Sequence, residues 1–332
     1  MEGCCARAAG SSAKAGVDMR RRHTAGSPTP SDEGAIRGGT ALWAGTREVV
    51  CIPRTTTIMG AVKTMLEHGV RRLPVVDAGT YRLEGMVYTT HIVNLLGGGH
   101  LHKLVRNRYR NNLLAAINED VRAIMERNVP TLSMEADVHD AISTMAKEGV
   151  GGLPLLDDER RVVGIITERD VLRLVARDIP AEMEELAMAI RALDGIRVEE
   201  VMSTNVVCAD AEDALLDGMK LMVGRGFRRL PLTKNGVLIG VVTSSDVVRY
   251  LGEGEVFSRL VGGAVGEALQ VPLKSLVRMD VLTTDIKSSI KDAALSMTAW
   301  GVGCLPVIGR GELVGIITER DVVRVLHERG YA

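Results

Sequence analysis

Residues 149–154 read Gly-Val-Gly-Gly-Leu-Pro, and residues 163–171 read Val-Gly-Ile-Ile-Thr-Glu-Arg-Asp-Val. Both stretches return later in the chain, at 301–306 and at 314–322, and Cys304 is the only difference between the two versions. Recurrence of two stretches in the same register indicates that the chain is built from related structural units.

Two more copies of the pattern carry an Arg-Arg pair in place of the small residues before Leu-Pro, at 69–74 and at 226–231. In all four copies a glycine stands five residues before the proline, a methionine nine residues before it and an aliphatic residue sixteen before it. Copies with and without the Arg-Arg pair alternate along the chain. The structural unit is therefore a pair of repeats that occurs twice.

The residues before each Leu-Pro predict a helix. In the second copy Val138, Ala141, Ile142 and Met145 follow the i, i+3, i+4, i+7 spacing of one apolar helix face. The glycine that follows, Gly149, suits a left-handed residue after a helix end. Apolar stretches on either side of a polar turn then predict two strands, and a second amphipathic helix follows. Each copy reads βαββα, which makes the fold class α/β of the α+β type.

The repeat also predicts the domain boundaries. Residues before the first copy are rich in Gly, Ala, Ser and Arg and show no apolar periodicity, which is typical of a disordered tail. The predicted segments are a tail over 1–45, repeats over 46–97, 121–175, 197–252 and 273–328, a linker helix over 98–120, a connector over 176–196 and a linker over 253–272.

The composition argues against several classes of protein. The chain has 332 residues with 41 Lys+Arg against 42 Asp+Glu, and aromatic residues make up 3%, so nucleic-acid binding is not expected. The five cysteines form no C-x-x-C pair, so we expect neither a metal site nor a disulfide framework, and a reducing cytoplasm fits best. No apolar run approaches the roughly 18 residues of a membrane helix.

A Thr-x-x-Asp motif follows the last strand of three copies, as Thr167 and Asp170 show in the second copy. The first copy has Tyr88 and His91 in the same places. Two interpretations stay open, because Thr and Asp are favoured helix caps but can also bind a phosphate and the two hydroxyls of a ribose. The Arg-Arg pairs are likewise either a solvated surface or a bidentate phosphate clamp. No catalytic motif stands out, so we do not expect an enzyme.

These motifs resemble the CBS-domain family (cystathionine-β-synthase-like domains), and the resemblance covers about 46–328. It implies four repeats paired into two Bateman modules that form a disc, within one chain or between two. It also implies adenosine ligands in clefts between paired repeats. The γ regulatory subunit of AMP-activated protein kinase is a similar four-repeat arrangement.

The resemblance also implies site residues, because a family ligand held by the Asp of one repeat contacts the residues before Leu-Pro of its partner. Two equivalent sites are expected to hold ribose through the Asp and phosphate through the Thr and Arg. The first has Thr167, Asp170, Val70 and Arg71, and the second has Thr318, Asp321, Phe227 and Arg228. Further phosphate contacts are expected from Arg169 and Arg320.

Two more positions are expected to differ from these sites. A third site would use Thr243 and Asp246 with Val302 and Gly303, and it lacks the partner arginine, so phosphate should bind there less well. The fourth position, with Tyr88 and His91, is expected to stay empty.

The expected function is that of a non-catalytic regulatory protein involved in energy sensing. It would bind AMP, ADP or ATP and signal to an unidentified partner protein by a conformational shift, and we expect a homodimer. A sensor of S-adenosylmethionine or a related nucleoside is an alternative, although its sulfonium cation would lie beside Arg71 and Arg228. A ligand-free interaction scaffold is a second alternative.

Overall fold

The computed structural model describes residues 38–254, 256, 265–277 and 281–330. Most of the predicted tail, residues 1–37, lies outside the described residues, but its last part is ordered, contrary to the prediction. A short helix, α1 (Ala41–Ala44), begins after Thr40, whose hydroxyl accepts from the backbone nitrogen of Trp43 at 3.2 Å. Leu42 is buried because it packs against the second repeat near Gly164.

Four βαββα units follow, as the sequence predicts. The first unit contains β1 (Ile52–Pro53), α2 (Ile58–His68), β2 (Arg72–Val76), β3 (Leu83–Tyr88) and α3 (Thr89–Leu96). After a linker with α4 (Leu113–Ile117), the second contains β4 (Leu132–Ser133), α5 (Val138–Glu148), β5 (Gly152–Leu156), β6 (Val162–Thr167) and α6 (Glu168–Val175).

The second half of the chain repeats this order. After α7 (Glu184–Ala192), the third unit contains β7 (Ala209–Asp210), α8 (Leu215–Arg225), β8 (Arg229–Lys234), β9 (Val237–Thr243) and α9 (Ser244–Gly252). After α10 (Val265–Ala268), the fourth contains β10 (Thr284–Asp285), α11 (Ile290–Trp300), β11 (Cys304–Gly309), β12 (Glu312–Thr318) and α12 (Glu319–Gly330). Single 3₁₀ turns lie at Val121–Ala123, Ala181–Met183, Leu193–Gly195, Val198–Glu200 and Leu273–Leu276.

Each unit has one small three-stranded sheet. Its two-residue first strand runs parallel to the central strand, which carries Leu-Pro, and the third strand is antiparallel to the centre. The central strands are buried almost throughout, which explains their apolar sequences. The glycine after the first helix of each unit adopts a left-handed φ of 62–69°, as predicted for Gly149 and its three equivalents.

Paired repeats exchange their leading segments. Thr46, which precedes the first sheet, pairs with Ile165 of the second repeat, and Glu126, which precedes the second sheet, pairs with Met86 of the first. The second module shows the same crossing, where Ser203 pairs with Ile316. Backbone pairing therefore joins the two repeats of each pair.

The two modules pack against each other through helices of the same chain. In the first and third repeats, α2 contacts α9 and α3 contacts α8 and α9, while in the second and fourth, α5 contacts α12 and α6 contacts α11 and α12. One hydrophobic cluster joins residues 52–124 of the first repeat and its linker to residues 209–276 of the third repeat and its linker. The four-repeat assembly therefore closes within one chain.

The linkers differ in part from the predicted elements. Residues 98–120 were predicted to form one helix, but they contain a π-helical turn (Leu104–Arg108) and then α4, because Arg110 and Asn111 adopt positive φ values of 50° and 66°. The connector after the second repeat contains α7, which packs against α12. Part of the linker over 253–272 lies outside the described residues. Within the described part of the chain, no helix is long and apolar enough to cross a membrane.

Replacement of Gly85 by alanine is expected to weaken the contact between the first two repeats and so to destabilise the protein. A Cβ at this position would overlap the carbonyl oxygen of Glu126, which is fixed by its backbone pairing with Met86. We expect a loss of about 1–3 kcal/mol in the free energy of unfolding, measured by urea denaturation. Gly79→Ala is the matched control, because Gly79 is exposed in the same repeat and has room for a Cβ. Equal stability of the two variants would contradict the crossing as the reason for this glycine.

Candidate functional site

The Thr-x-x-Asp motifs form capping boxes at the turn from the last strand to the last helix. Asp170 is buried, and its Oδ2 accepts from the backbone nitrogen of Thr167 at 2.9 Å and from the Thr167 hydroxyl at 2.7 Å. Its other oxygen accepts from Arg173 at 3.0 Å. The same arrangement holds for Thr318, Asp321 and Arg324, and for Thr243, Asp246 and Arg249.

The capping role of these residues is therefore real. It leaves room for a ligand role at one oxygen, because Oδ2 already accepts two hydrogen bonds, whereas Oδ1 accepts one and can accept another from a hydroxyl. The caps hold the carboxylates in one orientation.

Arg71 and Arg228, the proposed phosphate arginines, reach across to the opposite module. Nη2 of Arg71 in the first repeat donates to Glu319 of the fourth at 3.2 Å. Nη2 of Arg228 in the third repeat donates to Glu168 of the second at 3.1 Å. The two glutamates are nearly inaccessible, with side chains 1% and 2% exposed. Each arginine is thus tied to the residue that follows the capping threonine of the other module.

Arg169 and Arg320 complete a crossed arrangement. Nε of Arg169 donates to Glu319 at 3.2 Å, and Nε of Arg320 donates to Glu168 at 3.0 Å. Arg169 also donates through Nη2 to the carbonyl oxygen of Gly301 at 3.1 Å. Both arginines thus bond to the last repeat of the opposite pair.

Arg72 and Arg229 lie deeper at the same junction. Nη2 of Arg229 donates to Glu319 at 3.2 Å. Nη1 of Arg72 is buried without a hydrogen-bond partner and lies against Gly152, which has no room for a Cβ. Gly303 has none either, because Arg229 and Glu319 occupy that space. At Gly152 and Gly303 the lack of a side chain therefore leaves space for an arginine of the paired repeat.

We call these eight residues the arginine cluster. It consists of six arginines and two glutamates: Arg71, Arg72, Arg169, Arg228, Arg229, Arg320, Glu168 and Glu319. The sequence analysis missed the glutamates, and it considered both arginines of each pair as a phosphate clamp but gave a site role only to the first. The available signal was that Glu follows the capping threonine only in the second and fourth copies.

Positive charge exceeds negative charge in the cluster by four. Burial raises the pKa of Glu319, but the charges of Arg71, Arg229 and Arg169 outweigh it and hold that pKa below its ordinary value. Burial lowers the pKa of Arg228 to about 10, and burial together with the charge of Arg71 lowers the pKa of Arg72. Because four of the six arginines are partly exposed, an anion can reach them and balance the excess charge.

The residues predicted beside the arginines occupy equivalent places. Val70, Phe227 and Val302 each follow a helix-ending glycine, and each backbone nitrogen donates back to a helix carbonyl at 2.9–3.0 Å. For the third site the structure adds basic groups that the sequence analysis did not place there, since Arg229 lies against Gly303. Of the residues predicted for this site, only Val302 lines a small cavity of about 70 Å³, which is otherwise lined by Arg169, Leu172, Arg173, Met297, Thr298, Gly301 and Glu319.

The fourth position is built differently. The rings of Tyr88 and His91 meet edge to face, with centroids 5.0 Å apart, and Tyr88 makes no side-chain cap. Burial raises the pKa of Tyr88 to about 12. Burial, with a smaller effect of His100, lowers the pKa of His91 to about 4. Two rings therefore stand where the other repeats present a hydroxyl and a carboxylate.

Among the described residues, no group of three or more His, Cys, Asp or Glu side chains could hold a metal ion.

Comparison with known proteins supplies the family. A family profile described as the CBS domain matches residues 45–98, 121–177, 198–253 and 273–328, more than half of the chain. The chain is 37% identical over 279 residues to the uncharacterized protein MJ1225 of Methanocaldococcus jannaschii, covering 84% of this chain and 95% of that protein. It is 30% identical over 272 residues to an uncharacterized 33.4 kDa protein in the ribosomal RNA operon of Thermofilum pendens, covering 82% and 86%.

A crystal structure of MJ1225 is also similar. It matches with a TM-score of 0.75 at 36% identity, over 85% of this chain and 97% of that one. That protein is described as a candidate archaeal homologue of the γ subunit of AMP-activated protein kinase.

His91 is expected to make the protein acid-sensitive. Its pKa in the folded chain, about 4, lies below its ordinary value of 6.5. Between these values the unfolded chain binds a proton that the folded chain excludes, so stability falls as pH falls. We expect His91→Gln to reduce the loss of unfolding free energy between about pH 7 and pH 5 by about 1–2 kcal/mol. His68→Gln, which changes an exposed histidine of the same repeat, is the control, and urea unfolding at both pH values is the measurement. Parallel pH dependence of wild type and His91→Gln would contradict the prediction.

Proposed function

Since this chain belongs to the CBS-domain family, we propose that it is a non-catalytic regulatory protein that binds AMP, ADP or ATP in the clefts between its paired repeats. Ligand binding shifts the packing of the two modules, and a partner protein responds to that shift. The likeness to MJ1225, described as a candidate homologue of a kinase γ subunit, supports a role in energy sensing.

The arginine cluster carries this proposal. Six guanidinium groups and two carboxylates meet where the modules join, and Nη1 of Arg72 is buried without a hydrogen-bond partner. Phosphate groups would balance the excess charge and offer several oxygens to planar guanidinium donors. An adenosine ligand without phosphate would leave the excess unbalanced.

Each proposed site combines an aspartate, which is fixed by its helix cap, with arginines that come from other repeats or from the opposite module. Oδ1 of Asp170 and of Asp321, held by their caps, accepts from a ribose hydroxyl. The threonine three residues before each aspartate turns its hydroxyl from Oδ2 to donate to phosphate. Arg71 and Arg228 approach the phosphates from the partner repeat, and Arg169 and Arg320 add contacts from the opposite module. The Thr243 and Asp246 site is a third candidate, with Arg169 and Arg229 near Val302 and Gly303.

A sensor of S-adenosylmethionine is the weaker alternative. Its ligand carries a sulfonium cation, which would be repelled by a cluster that already has excess positive charge.

Calorimetric titration of the ligand-stripped chain with AMP, ADP, ATP and S-adenosylmethionine tests the proposal. We expect micromolar binding of phosphorylated nucleotides at about two sites, and loss of at least about tenfold in affinity in Asp170→Ala/Asp321→Ala, because charge-assisted hydrogen bonds to ribose disappear.

The double variant also loses two caps, which costs about 0.5–2 kcal/mol each. Asp140→Ala/Asp292→Ala is the matched control, because these exposed aspartates occupy the same third position in α5 and α11. The control should bind nucleotides normally. Binding of S-adenosylmethionine alone would favour the alternative, and no binding of any of the four by the folded chain would favour a scaffold.

A further inference from the structure

We propose that Glu168 and Glu319 are internal competitors of phosphate: they hold the arginines that would contact a ligand, and they must release some of them when a phosphate binds. This inference rests on the proposed function and adds how the same sites are regulated.

The arginines are accessible, whereas the glutamates behind them are not. The side chains of Arg71, Arg228, Arg169 and Arg320 are 30%, 29%, 36% and 46% exposed, while those of Glu168 and Glu319 are 2% and 1% exposed. An incoming anion can therefore reach the guanidinium groups without first displacing the carboxylates.

The ion pairs that Arg71 and Arg228 make with the two glutamates are weak enough to be replaced by pairs with phosphate. Arg71 and Arg228 each reach their glutamate through one nitrogen, Nη2, at distances of 3.1–3.4 Å. Parallel two-nitrogen pairing of an arginine with a carboxylate or a phosphate is stronger. Glu319 is shared by Arg71, Arg169 and Arg229, so one arginine can leave without stranding its negative charge.

The exchange would connect a ligand to the module interface. Arg71 belongs to the proposed site of Asp170 in the first module, but it bonds to Glu319 in the second. Arg228 and Glu168 form the reciprocal link. A phosphate that takes Arg71 therefore removes one ion pair between the modules. A ligand with more phosphates engages more arginines and removes more of them.

Affinity measurements on glutamate variants test the inference. Gln keeps the shape of Glu but lacks its charge, so it competes less well for arginine. In Glu168→Gln/Glu319→Gln we expect ATP to bind about five- to tenfold more tightly than in wild type, AMP to gain less, and adenosine to gain nothing. Unchanged or weaker ATP binding would overturn the inference, because it would mean that the glutamates only position the arginines.

Two controls separate the possible failures. Glu212→Gln removes a charge of the same size from an exposed ion pair with Lys274 and should leave ATP affinity unchanged. If the double variant does not fold, each single variant is titrated instead, with a smaller gain expected. If wild type binds no nucleotide, the proposed function fails and the inference fails with it.

A crystal structure of the wild-type chain with ADP provides a second test that needs no substitution. With ADP in the cleft of Asp170, Nη2 of Arg71 should leave Glu319, from which it is now 3.2 Å away. An Arg71–Glu319 pair that persists beside bound ADP would refute the exchange, whatever the affinities show.

Discussion

The close approach of paired repeats at Gly85, Gly164 and Gly315 is the constraint on which the fold depends. At Gly85 the backbone of Glu126 lies where a Cβ would be, and at Gly164 and Gly315 the side chains of Leu42 and Met202 lie there. A three-stranded sheet is too small to bury its own apolar residues, and the crossing joins two such sheets into one module. The glycine that recurs near the start of the third strand is therefore required by the contact with the partner repeat.

The residue after each helix cap lies at the junction of the modules in all four repeats. In the first and third repeats these residues are Thr89 and Ser244, which are buried and hydrogen-bond each other at 2.9 Å. In the second and fourth they are Glu168 and Glu319, which gather arginines from the other repeats. The same structural position therefore holds small packed residues in the first and third repeats and charged residues in the second and fourth.

The sequence predicted the architecture because the repeat imposes its own register. Four copies showed the helix face of Val138 to Met145, the glycine after it and the order of strands. It could not show where Arg71 points, since an arginine before Leu-Pro serves a solvated surface equally well. The partners of Arg71 and Arg72 are set by packing between modules, and they lie in repeats distant in sequence. The break at Arg110 and Asn111 was missed because a short basic segment carries no clear stop signal.

Capping and ligand binding were opposed as interpretations of Thr-x-x-Asp, yet the structure makes them compatible. The caps hold Asp170 and Asp321 through two bonds from the preceding threonine and one from an arginine a turn later. A carboxylate so held loses little conformational entropy when it accepts further hydrogen bonds. In the proposed sites this fixed group meets the ribose, which AMP, ADP and ATP share. The arginines, held by partners they can exchange, meet the phosphates, which differ among the three ligands. Discrimination between these nucleotides then depends on the arginines, which can change partners. The same arginines also join the two modules.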